Sequence, residues 1–134
     1  MRALIQRVSG AGVRIDDVER ARIRGGMLIL LGVSARDTEE SARYLAERCA
    51  HLRMFEDDAG KMNLSVLDTH GEALVVSQFT LYGDTRKGNR PGFTDAAAPA
   101  LAEALYEEIV FRREGSITRD GAVVPVLRDG AWQI

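Results

Sequence analysis

The stretch from Ala73 to Leu81 constrains this chain more tightly than any other. Ala73, Leu74, Val75 and Val76 form a continuous apolar run, a pattern suited to a strand covered on both faces. Such a strand belongs in the interior of a sheet. At Ser77 the character changes, and Ser77, Gln78 and Thr80 bring two hydroxyls and an amide beside Phe79. Hydrogen-bonding groups at the end of a rigid strand are well placed to hold reacting atoms accurately. Ser and Thr at a strand end can equally serve loose backbone groups, so the pattern alone leaves both roles open.

The neighbouring segments supply the rest of the sheet. Met27 to Val33 is the most apolar strand in the chain and is expected at its centre. Ala3 to Val8 reads as a first strand with Ala3, Ile5 and Arg7 on one face; a mid-strand arginine is ordinarily a solvated edge residue. Val13–Ile15 and Ala21–Ile23 flank a polar turn at residues 16–19 and predict a hairpin. Its arginines at 14, 20, 22 and 24 are matched by nearby acids, which suits a solvated ladder better than a polyanion site.

Asp37 with Glu40 resembles a capping box, and Ala42, Leu45, Ala46, Cys49 and Leu52 then recur at helical spacing. Cys49 on that face reads as an inert small hydrophobe. Residues 53–55 suggest a short strand, followed by a turn with Gly60 left-handed rather than a calcium loop. His51 lacks a partner at metal-ligand spacing and reads as structural, and His70 reads as a turn residue. Pro99 opens a second helix with a stripe of Leu101, Leu105 and Ile109, Glu103, Glu107 and Glu108 facing water, and Gly115 as its stop. Ala122–Leu127 is strand-like, with Pro125 favouring an edge. The sum is an α+β fold with an antiparallel-rich sheet and two helices, expected as a single domain over residues 1–134.

At 134 residues, 46% hydrophobic and 28% charged, the composition is that of a soluble globular protein. No apolar segment is long enough to span a bilayer, the first residues lack a signal peptide's apolar core, and one cysteine cannot form an internal disulfide. A cytoplasmic location with no membrane partner is expected. A net charge of −2 argues against broad nucleic-acid binding but permits a local basic patch. The glycine-rich loop at 82–93 carries Arg86, Lys87 and Arg90 with few acids, and serves either as a phosphate-binding surface or as a solvated loop. There is no Ser-His-Asp pattern, P-loop, dinucleotide fingerprint or zinc motif. An enzyme built from these residues would work without a metal, by positioning, backbone donors and perhaps a group on its substrate.

Five segments together carry a resemblance. They are Ala3 to Val8, Leu28 to Val33, Gly60-Lys61-Met62-Asn63, Ser77-Gln78-Phe79-Thr80-Leu81, and Arg90-Pro91 with Phe93. In that order, over roughly residues 1–109, the chain resembles the D-aminoacyl-tRNA deacylases, also called D-tyrosyl-tRNA deacylases. The resemblance implies a barrel-like sheet and a cofactor-free homodimer. It also implies hydrolysis of the ester joining a mischarged amino acid to the tRNA 3′ end. Ser77, Gln78, Phe79 and Thr80 correspond to the family's first signature, with the Phe79 amide and the Gln78 region as oxyanion or positioning donors. Thr80 matches a residue proposed as nucleophile, the alternative being water assisted by the ribose hydroxyl. A lone threonine without a base is a poor nucleophile, which favours water.

The family's second signature is a Gly-Pro pair with a cis peptide that crosses the dimer interface and excludes L-amino acids, and Arg7 matches a position that anchors it. Here Gly130-Ala131 stands in its place. A cis bond costs about 2.5–4 kcal/mol before a non-proline residue and about 0.5–1 before proline. Gly130–Ala131 is therefore expected to be trans, with rejection of L-substrates weakened or lost. Glycyl-tRNA is a further expected substrate, because glycine has no side chain to be excluded. The altered tail also fits a different class of protein, a non-catalytic relative that binds tRNA ends, nucleotides or a protein partner.

Overall fold

A computed structural model describes residues 1–111 and the strand residues 118–119, 122–123 and 126–128. The expectations for Gly115, Pro125, Gly130 and Ala131 lie outside the described residues. The strands are β1 (Arg2–Val8), β2 (Ala11–Ile15), β3 (Val18–Ile23), β4 (Gly26–Gly32), β5 (Phe55–Glu56), β6 (Met62–Leu64), β7 (Glu72–Ser77), β8 (Thr118–Arg119), β9 (Ala122–Val123) and β10 (Val126–Arg128). Two α-helices, α1 (Glu39–Ala50) and α2 (Pro99–Phe111), and a 3-10 turn at Phe79–Tyr82 complete the described elements. A four-stranded sheet runs β1-β4-β7-β10, and three two-stranded ladders pair β2 with β3, β5 with β6 and β8 with β9. β1 meets β4 antiparallel, whereas β7 is parallel to both β4 and β10. With the small ladders all antiparallel, the α+β, antiparallel-rich reading holds. Among the described residues no ladder joins the edge strands β1 and β10 into a barrel.

The two-faced burial expected of β7 has a direct cause. Ala73 and Val75 point into one core with Met27, Ile29 and Leu31 of β4 and with buried side chains of both helices. Leu74 points the other way, against Ala21 and Ile23 of the β2–β3 hairpin, with Val76 packed beside them. A strand between helices and a hairpin has no solvent face, so alternation disappears from its sequence. The hairpin turns on Asp16 and Asp17, at φ of 50° and 61°. It is a two-residue turn, tighter than the four residues expected, and aspartate tolerates the left-handed region.

Both helices depart from expectation in detail. Thr38 caps α1 with Ser41 as its reciprocal partner, in place of Asp37 and Glu40. The Asp37 carboxylate is taken by a stronger donor, the Met1 amino group at 2.6 Å, and by the Ser34 amide at 2.7 Å. Ala42, Ala46, Cys49 and Ala50 are buried, while Leu52, beyond the helix end, is exposed. In α2 the buried stripe is Leu105, Tyr106 and Ile109, with Leu101 exposed. Tyr106 donates to the Val75 carbonyl at 2.9 Å, joining α2 to β7. Glu107 and Glu108 are half-buried rather than solvated, because α2 leans on α1 and brings Glu108 within 3.2 Å of Arg43.

The turn between β5 and β6 is held by Asp57, whose carboxylate accepts from the amides of Ala59 and Lys61 at 2.9 and 3.0 Å, with Gly60 at φ 73°. His70 is a turn residue at φ 52°, and His51 ends α1 with Nδ1 2.9 Å from the Glu47 carbonyl. Among the described residues there is no cluster suited to a metal ion, and no helix is long and apolar enough to cross a membrane.

Candidate functional site

The site lies where β7 leaves the sheet. Ser77 is the last paired residue, opposite Leu31, and the Gln78 amide donates to the Leu31 carbonyl at 2.8 Å. Beyond it the chain coils into a single 3-10 turn over Phe79–Tyr82 instead of continuing as strand. The turn is closed by Leu81 N–H to the Gln78 carbonyl at 3.3 Å and Gly83 N–H to the Thr80 carbonyl at 2.9 Å. The first amides of a helical turn have no partner within it. The Phe79 and Thr80 N–H groups thus have no acceptor within the turn, which continues directly from β7.

Ser77 and Gln78 are half-buried, and Phe79 and Thr80 are exposed. The Gln78 side-chain amide, through Nε2, donates to the Thr80 hydroxyl. That contact orients the hydroxyl without activating it, because a carboxamide in either orientation is too weak a base to take its proton. Phe79 meets Phe93 edge to face, with ring centroids 5.1 Å apart. The four residues grouped from the sequence are therefore consecutive at one strand end, with Phe93 brought alongside Phe79.

The three loop cations are not equivalent. Asp84 and Gly92 exchange backbone hydrogen bonds of 2.8 and 2.9 Å, closing the loop between them. Inside it Arg86 clamps Asp84, with Nη2 2.7 Å and Nε 2.9 Å from the carboxylate oxygens. The Arg86 side chain and its backbone N–H hold the Asp84 carboxyl down to about 2. Lys87 and Arg90 are exposed and make no ion pair among the described residues.

Arg7 is not brought to this group. It pairs with Met27 whereas Ser77 pairs with Leu31, four residues along β4 and ~13 Å of strand rise away. There its guanidinium reaches the Met54 carbonyl at 3.1 Å and Glu56 at 3.5 Å, and it lines an open cleft with Phe55, Thr69 and His70. Cys49 is buried, and burial pushes its thiol up to about 11, as an inert core residue requires.

Three residues at the turn escaped the sequence reading. Arg2 donates to the Leu81 carbonyl at 2.6 Å and its guanidinium carbon lies 4.4 Å from the Tyr82 ring centroid. Gly32 lies beneath, where a Cβ would come within 3.1 Å of Leu81 Cβ and 3.2 Å of the Tyr82 ring. Nothing local marks them, since their partners are distant in the chain.

Known proteins resemble this chain over most of its length. The family model for D-Tyr-tRNA(Tyr) deacylase matches residues 4–132. The D-aminoacyl-tRNA deacylase of Anaeromyxobacter dehalogenans is 50% identical over 137 residues, covering 97% of this chain and 92% of that protein. That of Salinibacter ruber is 55% identical over 120 residues, covering 90% and 80%. Among solved structures, one titled c-Myc DNA Unwinding Element Binding Protein superposes with a TM-score of 0.78 at 38% identity, covering 82% of this chain and 74% of that one. A probable eukaryotic D-amino acid tRNA deacylase superposes with a TM-score of 0.69 at 22% identity, covering 81% and 63%, a likeness of fold. On the extent of these matches, the chain belongs to the D-Tyr-tRNA(Tyr) deacylase family.

Proposed function

We infer that this protein hydrolyses the ester of D-aminoacyl-tRNA, releasing the free amino acid and tRNA, as a quality-control step of translation. The observation that carries the chemistry is the 3-10 turn rooted on β7, which offers backbone donors without a base. Water adds to the ester carbonyl carbon, and the oxyanion forms against the Phe79 N–H, with Gln78 as the neighbouring positioning group. The adjacent ribose hydroxyl relays the water's proton, and collapse expels the ribose ester oxygen, which leaves protonated. Thr80, held by Gln78, orients substrate rather than attacking it, and Ser77 anchors the turn to the sheet.

Lys87 and Arg90 take backbone phosphates of the 3′ end, and Arg86 shapes their loop through Asp84. The distance of Arg7 from Ser77 supports a homodimer, in which Arg7 and the Gly130–Ala131 segment of one copy serve the site of the other. The location this activity implies is the cytoplasm.

The test is hydrolysis of D-tyrosyl-, glycyl- and L-tyrosyl-tRNA by the purified protein, with Thr80→Val and Ala131→Pro alongside. Hydrolysis of the D-ester that survives in Thr80→Val supports the enzyme and the water route. Loss of the L-ester as well, with selectivity restored by Ala131→Pro, supports a relaxed chiral filter; cleavage of the D-ester alone refutes that part. Retained tRNA binding with no hydrolysis of any ester overturns the enzyme reading in favour of a binding module, which the alanine at 131 would then explain.

A further inference from the structure

Within the 3-10 turn, the Gln78 and Thr80 carbonyls accept from the Leu81 and Gly83 amides. The Leu81 carbonyl, at the end where helical carbonyls run out of partners, accepts instead from Arg2, a residue 79 positions away. The same guanidinium lies over the Tyr82 ring, within cation–π range. It therefore grips two consecutive residues of the turn, one by its backbone and one by its side chain. From below, Gly32 leaves room for Leu81 and Tyr82 to sit directly on β4, and any Cβ there would fall 3.1–3.2 Å from both side chains. Arg2 and Gly32 belong to strands paired opposite one another in the β1–β4 ladder. The turn is thus seated on one cross-strand pair of the sheet.

We propose that Arg2 is the positioning residue of the hydrolytic site, fixing the pitch of the Phe79–Tyr82 turn and hence the aim of the Phe79 and Thr80 amides. It touches no reacting atom, so it acts through Leu81 and Tyr82. The planar fork of arginine matters because it donates in its plane while stacking by its face. A lysine can replace the charge and the donor but not the stack. This proposal rests on the deacylase reading of the same turn.

The experiment compares wild type, Arg2→Met, Arg2→Lys and Gly32→Ala on D-tyrosyl-tRNA, with Arg20→Met, an exposed arginine of the hairpin, as control. Misaligned donors act on the transition state more than on ground-state binding. Arg2→Met is therefore expected to lower kcat on the order of 100-fold, as an ångström-scale displacement does, with little change in KM or in the unfolding midpoint. Arg2→Lys recovers part of the loss, Gly32→Ala loses kcat in the same way from the opposite side, and Arg20→Met matches wild type.

Phenolate absorbance supplies a readout independent of turnover. Burial raises the Tyr82 hydroxyl, the Asp37 charge adds to that, and Arg2 pulls it partly back. Arg2→Met therefore moves the Tyr82 titration, identified against Tyr82→Phe, to higher pH. An active wild type with full kcat in Arg2→Met overturns the proposal and leaves the function standing. A loss of kcat accompanied by an equal loss of folded protein, or no movement of Tyr82, also overturns it. A wild type inactive on every ester overturns the functional reading itself, and the positioning role with it.

Discussion

Removing one oxygen from Tyr106 isolates how firmly β7 is held from behind. Tyr106 is 1% exposed, as is Val75, and the hydroxyl donates to the Val75 carbonyl at 2.9 Å, two residues before Ser77. Tyr106→Phe keeps the ring in the core and deletes that bond. Val75 lies between Ile29 of β4 and Arg128 of β10, and the loss expected is that of one net hydrogen bond, about 1 kcal/mol. Tyr106→Ala also empties the ring's volume and costs about 3–5 kcal/mol. For a chain of this size the phenylalanine variant should melt roughly 3–5 °C lower. Urea unfolding monitored by circular dichroism measures both variants, with an unchanged m-value licensing the comparison. Activity per folded molecule of Tyr106→Phe should stay close to wild type, because the turn is seated by Leu31, Gly32 and Arg2 rather than by Val75. Equal losses in the two variants, or none in the phenylalanine variant, would refute the reasoning that separates hydroxyl from ring.

Cys49 should resist thiol reagents at neutral pH in the native protein and react at once in denaturant. Its thiol is raised from 9.0 to about 11. Between those values the unfolded chain releases a proton that the folded chain keeps, so the contribution is intact below pH 9 and is lost as pH rises through about 11. The whole effect is on the order of 2–3 kcal/mol, and Cys49→Ala should flatten that part of the stability–pH curve. In tRNA binding measured against salt, Lys87→Ala and Arg90→Ala should each reduce the slope of log K by about 0.7–0.9. Arg86→Ala should change it less, and Asp84→Asn, which frees Arg86, should steepen it; equal slopes for all three cation variants would count against the pairing. Gly26→Ala places a Cβ 1.9 Å from the Glu72 carbonyl oxygen, a backbone clash that side-chain motion cannot relieve. A loss of roughly 3 kcal/mol or more is expected, and a wild-type urea midpoint would contradict it.

The apolar run ending at Ser77 was legible because burial on both faces erases alternation, and the packing of Ala73 and Val75 against one core and Leu74 against another bears that out. The hairpin, both helices and the central position of β4 were legible for the same kind of reason, being set by periodicity and local turn chemistry. Capping of α1 was misread because Asp37 has a competing partner at the start of the chain, which no window of a few residues contains. Leu101 was placed in the α2 core and Tyr106 overlooked, because a tyrosine enters a core only where its hydroxyl has an acceptor, and here that acceptor lies on β7. Arg86, Lys87 and Arg90 look alike in a basic loop until the Asp84–Gly92 clip brings Asp84 under Arg86.

The turn at Phe79–Tyr82 depends on partners as distant in the chain as those of Asp37 and Tyr106. Four residues rich in β-branched and aromatic side chains have no strong tendency to coil, and by local preference the strand would continue. It coils because Gly32 opens space beneath Leu81 and Tyr82 and because a guanidinium 79 positions away takes the carbonyl that coiling leaves bare. A strand would have spent the Phe79 and Thr80 amides on a neighbouring ladder. The proposed chemistry uses those donors, so it depends on a departure from local preference that the local sequence does not show.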